Sequence, residues 1–125
     1  MASKQSKKRG ATPSRAPQSK TLAGRLKSLD ALFRPRSIAV IGAGRTPNTI
    51  GHEIVRNLVS AGFTGPVYPV NPNAGVVRSM HCYADIALIP GEVDLAILVV
   101  PAKYVVGAAR ECGEKGVRGL VCITA

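Results

Sequence analysis

The period of the hydrophobic pattern changes several times along the chain. Residues 37–41, 67–70, 94–100 and 119–123 form short continuous apolar runs. Each is too short for a helix and too apolar for a surface strand, so each predicts a strand buried on both faces of a parallel sheet. Between them, apolar residues recur at helical spacing. Leu22, Leu26, Leu29, Leu32 and Phe33 predict a short amphipathic helix that stops before Pro35 and lays its apolar face on the domain edge. Ile50, Ile54, Val55, Leu58 and Val59 predict the buried stripe of a second helix, capped by Asn48 or Thr49 and ended by Gly62. Pro101 opens a third, which buries Val105, Val106, Ala109 and Cys112 and ends near Gly113. The less regular residues 75–90 predict a short edge strand and a turn of helix. The order β-α-β-β-α-β predicts an α/β fold built on a doubly wound parallel sheet.

The first strand ends in Gly42-Ala43-Gly44, passes through a polar turn and enters a helix. This strand–loop–helix unit is the one in which nucleotide-binding α/β domains hold phosphates, so the sheet reads as Rossmann-like. Gly42 permits a sharp turn where a ligand comes close. A dinucleotide fingerprint would place a third glycine at position 47, which is Pro47; the next glycine is Gly51. The second strand runs into Asn71-Pro72-Asn73, without the carboxylate that holds an NAD ribose. Both features argue against a nicotinamide cofactor. The alternative for the loop is a tight turn with no ligand.

Ligands of an open parallel sheet gather at the carboxyl ends of its strands. Four segments meet there. They supply Gly42, Ala43, Gly44, Arg45, Thr46 and Asn48 from the first loop, and Val70, Asn71, Pro72 and Asn73 from the second. Val100, Pro101 and Ala102 follow the third long run, and Ile123, Thr124 and Ala125 the last. Arg45, Thr46 and the backbone N–H groups beside them suit a phosphate, or Arg45 is a plain exposed loop residue. The Asn71-Pro72 turn presents carbonyl and amide groups to a ribose or adenine, or is an ordinary strand-ending turn. His52, one turn into its helix, reads as a partly exposed residue that only grazes the ligand. No Ser-His-Asp set or paired carboxylate is present, so no catalytic residue is assigned and the site reads as a binding surface without its own chemistry.

The formal net charge is +10. Residues 1–28 carry eight Lys or Arg and no acid, whereas from Ser37 onward seven bases meet six acids. The charge therefore belongs to the N-terminal arm, and residues 1–20 read as a disordered basic tail. No aromatic residue interleaves that charge, so a solvated tail is favoured over a nucleic-acid contact. No apolar h-region follows the basic residues, and the longest apolar run is far short of a membrane span. Cys82, Cys112 and Cys122 show no paired spacing and suit a reducing, cytoplasmic compartment. His81-Cys82 is not ligand-spaced, so no metal site is assigned.

Several ordered blocks resemble one family. They are Leu29-Asp30-Ala31-Leu32-Phe33-Arg34-Pro35-Arg36-Ser37-Ile38-Ala39-Val40-Ile41-Gly42-Ala43, Ile50-Gly51-His52-Glu53, Gly65-Pro66-Val67-Tyr68-Pro69-Val70-Asn71-Pro72, Ile89-Pro90-Gly91, Val93-Asp94-Leu95-Ala96, Val99-Val100-Pro101-Ala102 and Cys112-Gly113-Glu114-Lys115-Gly116-Val117-Arg118-Gly119. The resemblance is to the CoA-binding domain of ADP-forming (NDP-forming) acyl-CoA synthetases, which also opens the succinyl-CoA synthetase α subunit. It covers about residues 29–125. It implies that residues 42–46 hold the phosphates of coenzyme A and that residues 70–73 flank its adenosine half. Val100, Pro101 and Ala102 would line the pocket, with Ile123 and Thr124 beside the pantetheine arm. Related sequences often carry Lys where this chain has Asn73, which weakens phosphate contact. The family joins an acid to CoA at the expense of a nucleoside triphosphate, through an acyl phosphate and a phosphohistidine. These steps imply partner segments, a phosphohistidine domain and an ATP-grasp domain, beyond the present residues.

The sequence reading therefore divides the chain into a tail (1–20), a helix (21–35) and an incomplete CoA-binding domain (36–125). By itself the chain is expected to bind CoA without forming a thioester. Rival readings are the regulatory domain of a fused protein acetyltransferase, a stand-alone CoA-binding protein and an NAD-dependent oxidoreductase.

Overall fold

A computed structural model describes residues 21–124. The reading of residues 1–20 as a tail, and the site assignment of Ala125, lie outside the described residues. The chain runs α1 (Leu22–Phe33), β1 (Ile38–Ile41), α2 (Ile50–Ser60), β2 (Val67–Val70), β3 (Val76–Val77) and β4 (Met80–His81). A 3₁₀ turn (Ile86–Leu88), β5 (Leu95–Leu98), α3 (Ala102–Lys115) and β6 (Gly119–Cys122) complete it.

Strands β2, β1, β5 and β6 form one sheet in that order, every pair parallel. Ile38 lies opposite Val67 on one side and Leu95 on the other. Alternation along each strand divides the core into two layers. Ile38, Val40 and Leu95 pack with Val55, Ile54 and Leu58 of α2. Ala39, Ala96 and Leu98 pack on the other face with Ile86, Ile89 and with Val105, Ala109 and Cys112 of α3. The predicted doubly wound α/β sheet is thus present. From β1 the chain moves outward to β2, then returns to the far side of β1 as β5. The switch point lies between β1 and β5.

Several expectations need correction. The apolar face of α1 is mostly uncovered: Ala31 is buried, but Leu22, Leu29 and Phe33 are exposed. The helix meets β6 where Leu32 lies against Gly119. Thr21 caps it by accepting the Gly24 N–H at 3.0 Å. In α2, Ile50 and Val59 are exposed, while Gly51, His52 and Val55 are buried. The cause is Gly51: a Cβ there would stand 2.3 Å from the Gly42 carbonyl oxygen. Its absence lets the helix press its 51–52–55 line onto the sheet. In α3, Val106 is exposed, and the helix runs past Gly113 to Lys115. It stops at Gly116, whose φ of 91° suits only glycine well. Among the described residues β6 pairs with β5 alone, and Leu120 and Val121 are exposed.

Residues 75–90 form an antiparallel hairpin, β3–β4, in a sheet of its own. Arg78 and Ser79 at its tip both take positive φ, the turn geometry that fits the twist of a two-residue hairpin. Tyr83 then bridges to Val70, and the Asn71 N–H reaches the Tyr83 carbonyl at 2.8 Å.

Candidate functional site

The carboxyl ends of β1, β2 and β5 open into a cleft of about 460 Å³. Its wall includes Gly42, Val70, Asn71, Pro72, Asn73, Val100 and Pro101 from the sequence-derived set. A smaller hollow of about 200 Å³ continues past Val100 and Pro101 to Ile123 and Thr124. The four expected segments therefore meet at one end of the sheet. A third cavity, of about 490 Å³, lies at the opposite end among Asp30, Arg34, Arg36, Asp94 and Arg118. It faces the amino ends of the strands, where the topology places no switch-point site.

Residues 43–46 continue the loop beyond Gly42, and none of them lines the cleft itself. Among the described residues, none of their four backbone N–H groups has a hydrogen-bond partner. Successive free N–H groups ahead of a helix N-terminus make a concavity suited to an anion. Arg45 and Thr46 are exposed beside them, and Arg45 has no ion-pair partner among the described residues. Ala43 is fully buried, so it offers a ligand its backbone rather than its methyl group. Ala102 is exposed at the start of α3.

Two side chains hold this loop from behind. His52 Nδ1 lies 2.9 Å from the Gly44 carbonyl oxygen, and the Asn71 amide donates to the Ala43 carbonyl at 2.7 Å. His52 is buried, not the partly exposed residue the sequence implied. Asn71 is likewise occupied: its Oδ1 accepts the Asn73 N–H at 2.8 Å, which closes an Asx turn. Its side chain therefore shapes the turn, and the carbonyl and amide expected to face a ribose are committed to the protein.

The polar turn is braced by its own chemistry. Asn48 takes a φ of 68° and gives its N–H to Glu53 Oε2 at 3.1 Å. That bond, followed by the one from Arg56, holds the Glu53 carboxyl below its usual range. The N-cap is Thr49, one of the two expected caps, although its side chain makes no capping hydrogen bond. Gly42 also departs from expectation. Its φ is 96°, and a Cβ would sit 2.0 Å from the Val99 carbonyl oxygen. The close approach that requires glycine here is to Val99, the residue after β5, while Gly42 also lines the cleft. Beside Gly44, by contrast, the space is open.

Two acids reach the cleft that the sequence reading did not assign, Asp85 and Glu111. Asp85 caps the 3₁₀ turn by accepting the Ala87 N–H at 2.9 Å. Glu111 lies on α3 with nothing in its spacing to mark it. Both repel phosphate, so an anion belongs at the N–H rim rather than deep in the cleft. Among the described residues, no group of three or more His, Cys, Asp or Glu is arranged for a metal ion. None of their helices is long and apolar enough to cross a membrane.

Comparison with known proteins gives this geometry a family. The CoA binding domain model matches residues 36–125. The chain is 52% identical over 97 residues to the Pyrococcus furiosus acetate–CoA ligase [ADP-forming] II subunit alpha, covering 78% of this chain and 21% of that protein. To the Archaeoglobus fulgidus acetate–CoA ligase [ADP-forming] II it is 48% identical over 99 residues, covering 79% of this chain and 15% of that one. The apo structure of the Ca. Korarchaeum cryptofilum dinucleotide forming acetyl-coenzyme A synthetase 1 superposes with a TM-score of 0.75 at 44% identity, over 78% of this chain and 21% of that one. The chain thus spans about a fifth or less of the curated ligases it matches. It belongs to the CoA-binding domain family, in the form found in ADP-forming acyl-CoA synthetases, and its cofactor is coenzyme A.

Proposed function

We propose that residues 36–125 are the CoA-binding portion of an ADP-forming acid–thiol ligase of the acetate–CoA type. The observation that carries this reading is the rim of four unpaired N–H groups at the switch point of the sheet. These groups, with Arg45 and Thr46, receive the phosphates of CoA. The turn at Val70, Asn71, Pro72 and Asn73 and the wall at Val100, Pro101 and Ala102 flank the rest of the molecule. Ile123 and Thr124 lie at the end of the smaller hollow, toward the pantetheine arm.

Bound CoA supplies the thiol that becomes acylated. The chain's own part is to grip and orient it. Asp85 and Glu111 keep phosphate out of the inner cleft, and the apolar side chains Ile41, Val70, Val99 and Val100 exclude water there. Phosphoryl transfer belongs to other segments of the ligase, a phosphohistidine domain and a nucleotide-binding domain. Neither histidine here is placed for it: His52 is tied to the loop, and His81 stacks edge-on against Tyr83 at 4.5 Å. The free thiols of Cys82, Cys112 and Cys122 fit a cytoplasmic enzyme. Residues 21–35 act as a helical lead-in.

Calorimetry with CoA and with NAD tests the reading. CoA is expected to bind and NAD to bind more weakly or not at all, since Asn71 stands where a ribose-binding carboxylate would be needed. Tighter binding of NAD would overturn it.

A further inference from the structure

We infer that His52 is the positioning residue of the anion-binding loop: its Nδ1–H fixes the Gly44 carbonyl and thereby aims the Arg45 N–H at the ligand's diphosphate. The inference deepens the CoA reading and rests on it for the identity of the anion. The tether itself stands on geometry alone.

A carbonyl oxygen only accepts hydrogen bonds, so a ring nitrogen 2.9 Å from Gly44 O must carry the proton. This selects the Nδ1–H tautomer when the ring is neutral, and the same bond survives when the ring is charged. His52 is only 8% exposed, on the helix face that Gly51 lets approach the sheet, so the ring has little freedom to leave. None of the peptide bonds described is cis. In a planar trans peptide the C=O and the N–H point in opposite directions. Drawing the Gly44 carbonyl back onto His52 therefore drives the Arg45 N–H outward. Asn71 does the same one peptide earlier: it holds the Ala43 carbonyl at 2.7 Å and turns out the Gly44 N–H. The two N–H groups so aimed are among those with no protein partner. Gly44 has no Cβ and open space around it, so without a tether this peptide is free to rotate. The histidine thus converts a flexible glycine loop into a preorganised one.

Ring ¹⁵N shifts of His52 in the full chain test the tether without any ligand. A proton on Nδ1 is expected, and protonation at Nε2 alone overturns the inference. The second arm titrates CoA into wild type, His52→Leu and His52→Asn, with the melting temperature of each. Asn places an amide N–H where Nδ1 stood. His52→Leu is expected to bind CoA about tenfold more weakly, and His52→Asn to recover to within about threefold of wild type. Equal affinity in wild type and His52→Leu overturns the inference. So does a folded His52→Asn that binds no better than His52→Leu. A wild type that does not bind CoA defeats the functional reading instead. The tether is then judged with inorganic pyrophosphate, by the amide shifts of Gly44 and Arg45. Shifts in wild type and His52→Asn that are lost in His52→Leu support it, and any other pattern overturns it.

Discussion

The Asp94 carboxylate receives the Arg36 backbone N–H at 2.8 Å and the Arg36 Nε at 3.1 Å, which joins the entry to β1 to the entry to β5. Ser37 adds to this joint: its hydroxyl accepts the Asp94 N–H and donates to the Glu92 carbonyl. The Asp94 side chain is almost wholly buried, while that of Arg36 is mostly in solvent. The joint sits at the end of the sheet opposite the cleft at the carboxyl ends of the strands, so its expected role is stability rather than binding.

Arg36, through its side chain and then its backbone N–H, holds the Asp94 carboxyl below its usual range. A carboxylate whose folded-state pKa is depressed contributes stability above its unfolded value and loses it as pH falls through the folded one. Asp94→Asn is therefore expected to lower the melting temperature at pH 7 and to flatten its fall between pH 4 and the acid limit. Thermal melts of both proteins across that range check this, and parallel curves would contradict it. CoA affinity at pH 7 is expected to stay unchanged.

Gly42 and Gly44 differ by two positions and by opposite demands. An alanine at position 42 brings its Cβ against the Val99 carbonyl at positive φ, with a cost of at least about 2 kcal/mol. Gly44→Ala meets open space and is expected to fold with little change. Its methyl group sits on the anion rim, so its effect is expected in CoA affinity. Denaturant melts beside CoA titrations separate the two. A Gly42→Ala protein as stable as wild type would refute the close approach to Val99.

The three thiols are expected to react in order. Cys122 is exposed on β6, whereas Cys82 and Cys112 are buried. Burial raises the Cys82 thiol above its usual range and pushes Cys112 up to about 11. The thiolate is the reactive form, so both are slowed by access and by protonation. Alkylation at pH 8 followed by peptide mass spectrometry should mark Cys122 first, and equal rates would mean that the α3 face opens in solution.

Incubated with ATP, magnesium, CoA and acetate, the chain is expected to yield no acyl-CoA. His52 Nδ1 is held by the Gly44 carbonyl, and among the described residues no carboxylate is hydrogen-bonded to the ring to orient it as a phosphoryl carrier. Acyl-CoA formation that is lost with His52→Ala would make the chain an enzyme in its own right.

Strand positions and helix order were legible in the sequence, because a buried parallel strand needs a continuous apolar run and a helix needs apolar residues three and four apart. Ile38–Ile41 and Leu95–Leu98 satisfy the first rule so plainly that no tertiary contact was needed to find them. The glycine loop and the Asn71-Pro72-Asn73 turn were legible as candidate ligand segments, and the ordered blocks named the family. Periodicity does not say which neighbour covers a face. Only the tertiary structure decided that Ile50, Val59 and Val106 face outward. The hairpin at Arg78 and Ser79 lacks the Asn-Gly that usually marks such a turn, so its positive φ values had no local signal. The division of labour in the site was hidden for the same reason. Gly42 serves strand packing, Gly51 admits the helix, and His52 and Asn71 hold carbonyls, through contacts between residues up to 57 positions apart. Local sequence sets which conformations each segment prefers, but partners distant in the chain choose which atoms are left free to meet a ligand.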